Sequence, residues 1–230
     1  MGTTHYIDWG VPPKPFTPDT VLLWSASCMN TPGPWAWPTG PNALQAGDLV
    51  IWAWEGNAEV TVPGWTRLHS LNLDGGPNAG AGSSNYGLLY HMWTAADVLS
   101  NPPFPPTTFS YQNDVMAAYR GCSGMVKRST SPVVVSTAQT TTIVPGIVKA
   151  ANCRQLIMMQ ASYDIAALPN LAVPVGFTEL ARARGGAGYF SLRLSAMDPS
   201  AYTDNTPIVS GAQASIVGCT SVLFELLAST

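Results

Sequence analysis

The chain predicts an all-β fold: a single jelly-roll-like antiparallel β-sandwich built from two sequence-related halves, with an extended N-terminal arm. Three observations lead there. Short apolar runs are separated by Gly and Pro turns, 21 and 20 of these residues in a chain of 230, which fits many short strands. No stretch carries a convincing helical stripe. The order of the apolar runs in the first half recurs in the second.

The first pass reads Asp48-Leu49-Val50-Ile51-Trp52-Ala53-Trp54, then Val62-Pro63-Gly64-Trp65-Thr66-Arg67-Leu68, then Tyr86 to Trp93, and closes on Val115-Met116-Ala117-Ala118-Tyr119. The second reads Gln155-Leu156-Ile157-Met158-Met159-Gln160-Ala161, then Val173 to Leu180, then Tyr189 to Leu194, and closes on Val222 to Leu227. Both passes share a turn whose Gly, Gly64 or Gly176, permits a positive φ, followed by an aromatic, Trp65 or Phe177, that can fold over the sheet end.

Residues 1–20 contain prolines and Trp9 but no strand periodicity, and are expected to form an extended arm. The sandwich domain then occupies 21–230, with a first half of about 21–128, a strand-like link of about 129–150 and a second half of about 151–230. A first strand is expected at 21–27, one helical turn at 95–99, and strands at 107–111, 114–120, 132–136 and 141–144. The Pro- and Gly-punctuated segment 31–41, with Trp35 and Trp37, reads as a rigid loop.

Only 10% of residues are charged, against about 25% in an ordinary soluble domain. With 46% hydrophobic residues, the missing charge is replaced by neutral polar residues, Gly and Pro. Such a surface is poorly protected against association, which fits either one covered by copies of the chain or by other partners, or a secreted or virion-exposed β protein that simply uses neutral polar residues. A net charge of −3 argues against a nucleic-acid partner. Lys127-Arg128, the one adjacent basic pair, is expected in a solvated loop. Met1 is followed by polar residues, with no signal-peptide pattern, and no run approaches the roughly 18 apolar residues of a membrane helix, so no membrane partner is expected. Cys28, Cys122, Cys153 and Cys219 form no ligand pattern and are expected as buried free thiols.

Nucleophilic hydrolysis would need Ser or Cys beside a His and an acid. His5, His69 and His91 are the histidines; the last two are expected to be cross-strand neighbours at a sheet edge. Gly121-Cys122-Ser123-Gly124 resembles a nucleophile elbow only superficially. Glu55, Glu59 and Asp114 are the carboxylates that could pair, without a spacing that singles them out. Asp74 with Asn72, Asn78 and Asn85 offers too little charge for calcium, and the Gly-rich run 74–85 lacks the ending of a phosphate loop. No catalytic residue, metal site or cofactor is therefore expected. All eight tryptophans fall in the first 93 residues. Trp52 and Trp54 share one strand face and are expected to be core, while Trp9, Trp35 and Trp37 are the candidate interaction residues.

The runs Gly47-Asp48-Leu49-Val50, Val62-Pro63-Gly64-Trp65-Thr66, Tyr86 to Trp93 and Ala117-Ala118-Tyr119-Arg120-Gly121 resemble the pattern of a family of bacteriophage virion proteins over residues 45–227. The resemblance implies a non-enzymatic structural component of a virion, made in the host cytoplasm: a capsid decoration, head-fibre or tail-associated protein. Its partners would be copies of itself and the major capsid or tail proteins. The alternative expectation is a carbohydrate- or receptor-binding module that meets a host surface glycan through exposed aromatics.

Overall fold

The computed structural model describes residues 21–29, 37–56, 60–72, 85–100, 112–132, 141–163, 172–185, 190–211 and 218–228. The arm, the segment expected as a strand at 107–111, all of that expected at 132–136 except Pro132, and the residues Trp9, Trp35, His5, Glu59, Asp74 and Asn78 lie outside them.

Strands are numbered in chain order. The first five are β1 (Val21–Met29), β2 (Leu49–Gly56), β3 (Thr66–Asn72), β4 (Asn85–Met92) and β5 (Gln112–Arg120), which form one antiparallel sheet, A, in the order β1-β5-β2-β4-β3. A second antiparallel sheet, B, contains β6 (Cys122–Thr130), β8 (Cys153–Tyr163), β9 (Thr178–Gly185), β10 (Phe190–Met197) and β12 (Gly218–Ala228), in the order β6-β12-β8-β10-β9. These orders are the same once β6, β8, β9, β10 and β12 are taken as counterparts of β1 to β5. The duplication seen in the sequence is thus a duplication of sheets, and the molecule is an all-β sandwich. Sheet A comes from the first part of the chain and sheet B from the second, and the chain passes from A to B at Gly121 (φ 83°), between Arg120 and Cys122.

Between the sheets lies one core, with Leu49, Ile51, Leu88, Val115 and Tyr119 from A packed against Ile157, Met159, Leu192, Leu194, Val222 and Phe224 from B. The alternate residues face outward, yet they too are buried, because each sheet carries a further layer. Segments 37–48 and 60–65 cover the outside of A. The outside of B is covered by a two-stranded sheet of β7 (Thr141–Val144) and β11 (Ile208–Gly211), together with Phe177 and Tyr202. Burial on both faces explains why β2 reads as an unbroken apolar run instead of an alternating one.

The shared turn takes the same form in both halves. Trp65 N–H donates to Val62 O at 3.1 Å and Phe177 N–H to Pro174 O at 3.1 Å, with Gly64 at φ 81° and Gly176 at φ 83°. A second matched turn enters β2 and β8, where Asp48 N–H bonds Gln45 O and Cys153 N–H bonds Ala150 O, both at 3.0 Å. The expected helical turn is the six-residue helix α1, Ala95–Ser100.

Several expectations need correction. Lys127 and Arg128 lie on strand β6, not in a loop: Lys127 Nζ sits 3.2 Å from His69 Nδ1, and Arg128 donates to Val148 O at 2.7 Å. His69 and His91 are not cross-strand neighbours, since His69 pairs with Leu88 and His91 with Val50. A bulge between Arg67 and His69 shifts the parity of β3, which leaves His69 buried beside β6 while His91 lies among the residues outside sheet A. Trp52 and Trp54 share a face and are core residues, as expected; the core they belong to lies on the outer face of A, beneath the covering segments, and not between the sheets.

Candidate functional site

The four runs that carry the virion-protein resemblance meet at one end of sheet A. Gly47 (φ 92°) turns the chain into β2, its N–H donating to Trp93 O and Trp93 N–H returning to Asp48 O, both at 2.7 Å. The Asp48 carboxylate accepts Nε and Nη2 of Arg120 at 2.9 and 2.8 Å and the Gln45 N–H at 2.7 Å. Nη2 also donates to Ala43 O at 3.0 Å. This forked pair ties the covering segment to the end of β5, immediately before the chain crosses to sheet B. Its hydrogen bonds to Asp48 hold the Arg120 guanidinium above its ordinary pKa.

Beside it lies an aromatic layer. Trp37, the candidate interaction residue within the described set, is half-buried: its ring meets Trp93 edge-on at 4.7 Å and Trp24 at 6.3 Å. Trp65 stacks on His91 at 5.5 Å. His91 Nδ1 lies 2.9 Å from Gly64 O and Nε2 lies 2.9 Å from Asp97 Oδ2. Burial works to raise the Asp97 carboxyl, but hydrogen bonds from Thr94 and His91 outweigh it and hold it low. A general base needs a free ring nitrogen facing a nucleophile. Here both nitrogens are engaged, and the nearby hydroxyl, Thr94 Oγ1, donates to Asp97 instead. The group therefore braces α1 against the Gly64 turn.

The carboxylates expected as a possible pair are separated by the sheet itself. Asp114 points outward and accepts the Trp52 indole N–H at 2.8 Å. Glu55 is fully buried among inward-facing residues, level with Asn113 and Tyr86 on the adjacent strands. Burial, partly offset by Asn113, raises its carboxyl well above the ordinary range. His69, near the same row, is pushed down to about 4 by burial and by Lys127. Ser123, in the superficial elbow, spends its hydroxyl on Ala228 O at 2.6 Å. Among the described residues no group of three His, Cys, Asp or Glu side chains could hold a metal ion.

Cys122, Cys153 and Cys219 are buried thiols outside any disulfide among the described residues, and burial pushes the Cys153 thiol up to about 12 and that of Cys219 up to about 11. Fewer than about one in a hundred of either should be thiolate at pH 8. Mass-spectrometric mapping of labelling by a disulfide reagent should show both protected in the native protein and modified at once in denaturant. Equal rates in the two states would refute this account of their burial.

A feature that sequence reasoning missed lies over sheet B. β7 and β11 bury Thr142, Val144, Ile208 and Ser210, leaving the cross-strand pair Ile143 and Val209 exposed at 49% and 52%. Val175, at the tip of the second shared turn, is 95% exposed. It borders, with Val209, Tyr202, Pro207 and Met197, an uncharged pocket of about 320 Å³. No signal in the sequence distinguishes these valines from those of the core. The described residues thus form a layered β-sandwich with an apolar patch on the outer side of sheet B, and no described helix is long and apolar enough to cross a membrane. Comparison with family models, with curated proteins and with solved structures finds no match to the chain.

Proposed function

We propose that this chain is a non-enzymatic structural component of a bacteriophage virion, a capsid decoration, head-fibre or tail-associated protein that assembles with copies of itself. The observation that carries the assembly reading is the uncovered apolar face formed by Ile143, Val209 and Val175. In a chain with only 10% charged residues, little electrostatic repulsion keeps two such faces apart. The virion assignment rests on the four runs, which serve as turns and braces and bring no catalytic group together. Trp37 offers less to a glycan than an open aromatic would, because its ring already contacts Trp24 and Trp93.

Light scattering across a concentration series should show an oligomer for the full chain. Val209→Asp should weaken association by about 10- to 100-fold, the effect of losing roughly 1.5–3 kcal/mol of side-chain burial. A wild-type monomer at every concentration would remove self-assembly. Quantitative mass spectrometry of purified particles then tests the virion reading: hundreds of copies would mean a shell coat, a few dozen a tail or fibre, and none would defeat it.

A further inference from the structure

The interior of a sandwich is the most expensive place in it for an unpaired acid. Glu55 occupies that place. It is 0% exposed, and its carboxyl meets the Asn113 side chain but no cation among the described residues. Glu225, the other fully buried glutamate, differs, since Ala150 N–H donates to it at 3.1 Å and Arg128 Nε lies 3.5 Å away.

The surroundings of Glu55 are polar without being charged. Register places it directly opposite Asn113 on β5 and Tyr86 on β4. Asn113 hydrogen-bonds the carboxyl, while His69 Nε2 lacks a partner among the described residues. The Tyr86 ring lies 5.3 Å from that of His69 on β3, and Thr220 of β12 faces its hydroxyl. The cation on this side is Lys127 of β6, whose Nζ is directed at His69 Nδ1. β10 contributes Leu192 and Leu194, without a titratable inward side chain.

We propose that Glu55 is a proton-dependent lock on the sandwich: the row Asn113–Glu55–Tyr86 stays packed against sheet B while the carboxyl holds its proton, and parts from it when the proton leaves. The neutral acid has an O–H to donate to the Asn113 carbonyl, whereas the anion would have neither a cation nor water to meet it. The row lies at the ends of β2, β4 and β5, so opening would begin there and not at the braced Asp48–Arg120 end.

The direction follows from linkage. A buried acid that keeps its proton binds more protons folded than unfolded, so its stabilisation is complete below the ordinary carboxylate range, about pH 4.3, and is lost as pH rises towards its folded value. His69, held neutral, acts oppositely and only in acid, between about pH 6.5 and about 4. Burial of Tyr86 and of the thiols of Cys153 and Cys219 adds an alkaline loss of its own.

The test is denaturant unfolding of the full chain from pH 5 to 9, wild type against Glu55→Gln, which mimics the neutral acid and leaves the other groups in place. The wild type should lose up to about tenfold in its folding equilibrium per pH unit relative to the variant. Parallel profiles would overturn the proposal. If the variant does not fold, a carboxyl-carbon NMR titration of the wild type decides instead: a protonated Glu55 in the folded protein at pH 6 supports the lock, and an ionised one refutes it.

Discussion

Gly87→Val should destabilise the protein by about 3 kcal/mol or more, enough to unfold a marginal domain. Gly87 stands on β4 directly opposite Trp54 of β2, and the indole lies across it. A Cβ there would come within 2.9 Å of Cε2 and Cζ2 of Trp54 and 2.6 Å of the His69 carbonyl oxygen. A flexible side chain could step aside, but an indole buried under the covering layer and a backbone carbonyl in a paired strand cannot. The glycine is needed for room, not for an unusual φ. Urea unfolding should show the midpoint falling even for Gly87→Ala, by about 2 kcal/mol. In a Trp54→Leu background the added cost of Gly87→Ala should shrink without vanishing, because the ring contact is relieved and the His69 carbonyl contact stays. A Gly87→Ala protein within about 0.5 kcal/mol of wild type would mean that the sheet yields at this point.

That pair also shows what the sequence discloses and what it hides. Period-two spacing puts Trp52 and Trp54 on one face, but spacing alone does not say which face, and β2 is apolar on both because both are covered. The repeat is readable because its turns are chemically marked: Gly64 and Gly176 adopt the positive φ that their positions demand, each followed by an aromatic that packs. β6 is hard to read because Cys122–Thr130 is a polar edge strand, and β11 because four residues carry little periodicity. The parity of His69 depends on a bulge, which no residue in β3 announces. Trp37 can be recognised as difficult to bury locally, and its partners Trp24 and Trp93 are brought to it only by the fold. The apolar side face is invisible in sequence, since Ile143, Val175 and Val209 differ from core residues only in where they sit.

The second large effect is expected at the brace joining β2 to the end of β5. Asp48 is 3% exposed and Arg120 32%, so the pair is screened on one side and wet on the other. Replacing Asp48 with Ala removes two charge-assisted bonds to the guanidinium and orphans the Gln45 N–H, for an expected loss of about 2–3 kcal/mol. The Arg120 head can still reach water, which keeps the loss below that of a fully enclosed pair. Arg120→Lys should recover little of it, because an ammonium cannot reproduce the fork that engages both carboxylate oxygens and Ala43 O. Lys149–Asp204 supplies the contrast: with 21% and 41% exposure, it should contribute little and fade in salt. A double-mutant cycle on Asp48 and Arg120, repeated at high salt, separates the cases. Coupling that persists in salt identifies a partly buried brace. Coupling that disappears would make it one more surface pair, and the convergence of the four sequence runs on it would need another cause. In the second half Cys153 occupies the position of Asp48, and β12 closes with a backbone bond from Ala228 N–H to Asn152 O at 2.9 Å. The matching turn residue, Ala150, is held instead by Glu225 on β12, so each half is braced at its closing strand, and the forked form belongs to the half whose end leads from sheet A into sheet B, where a loosened strand would do the most damage.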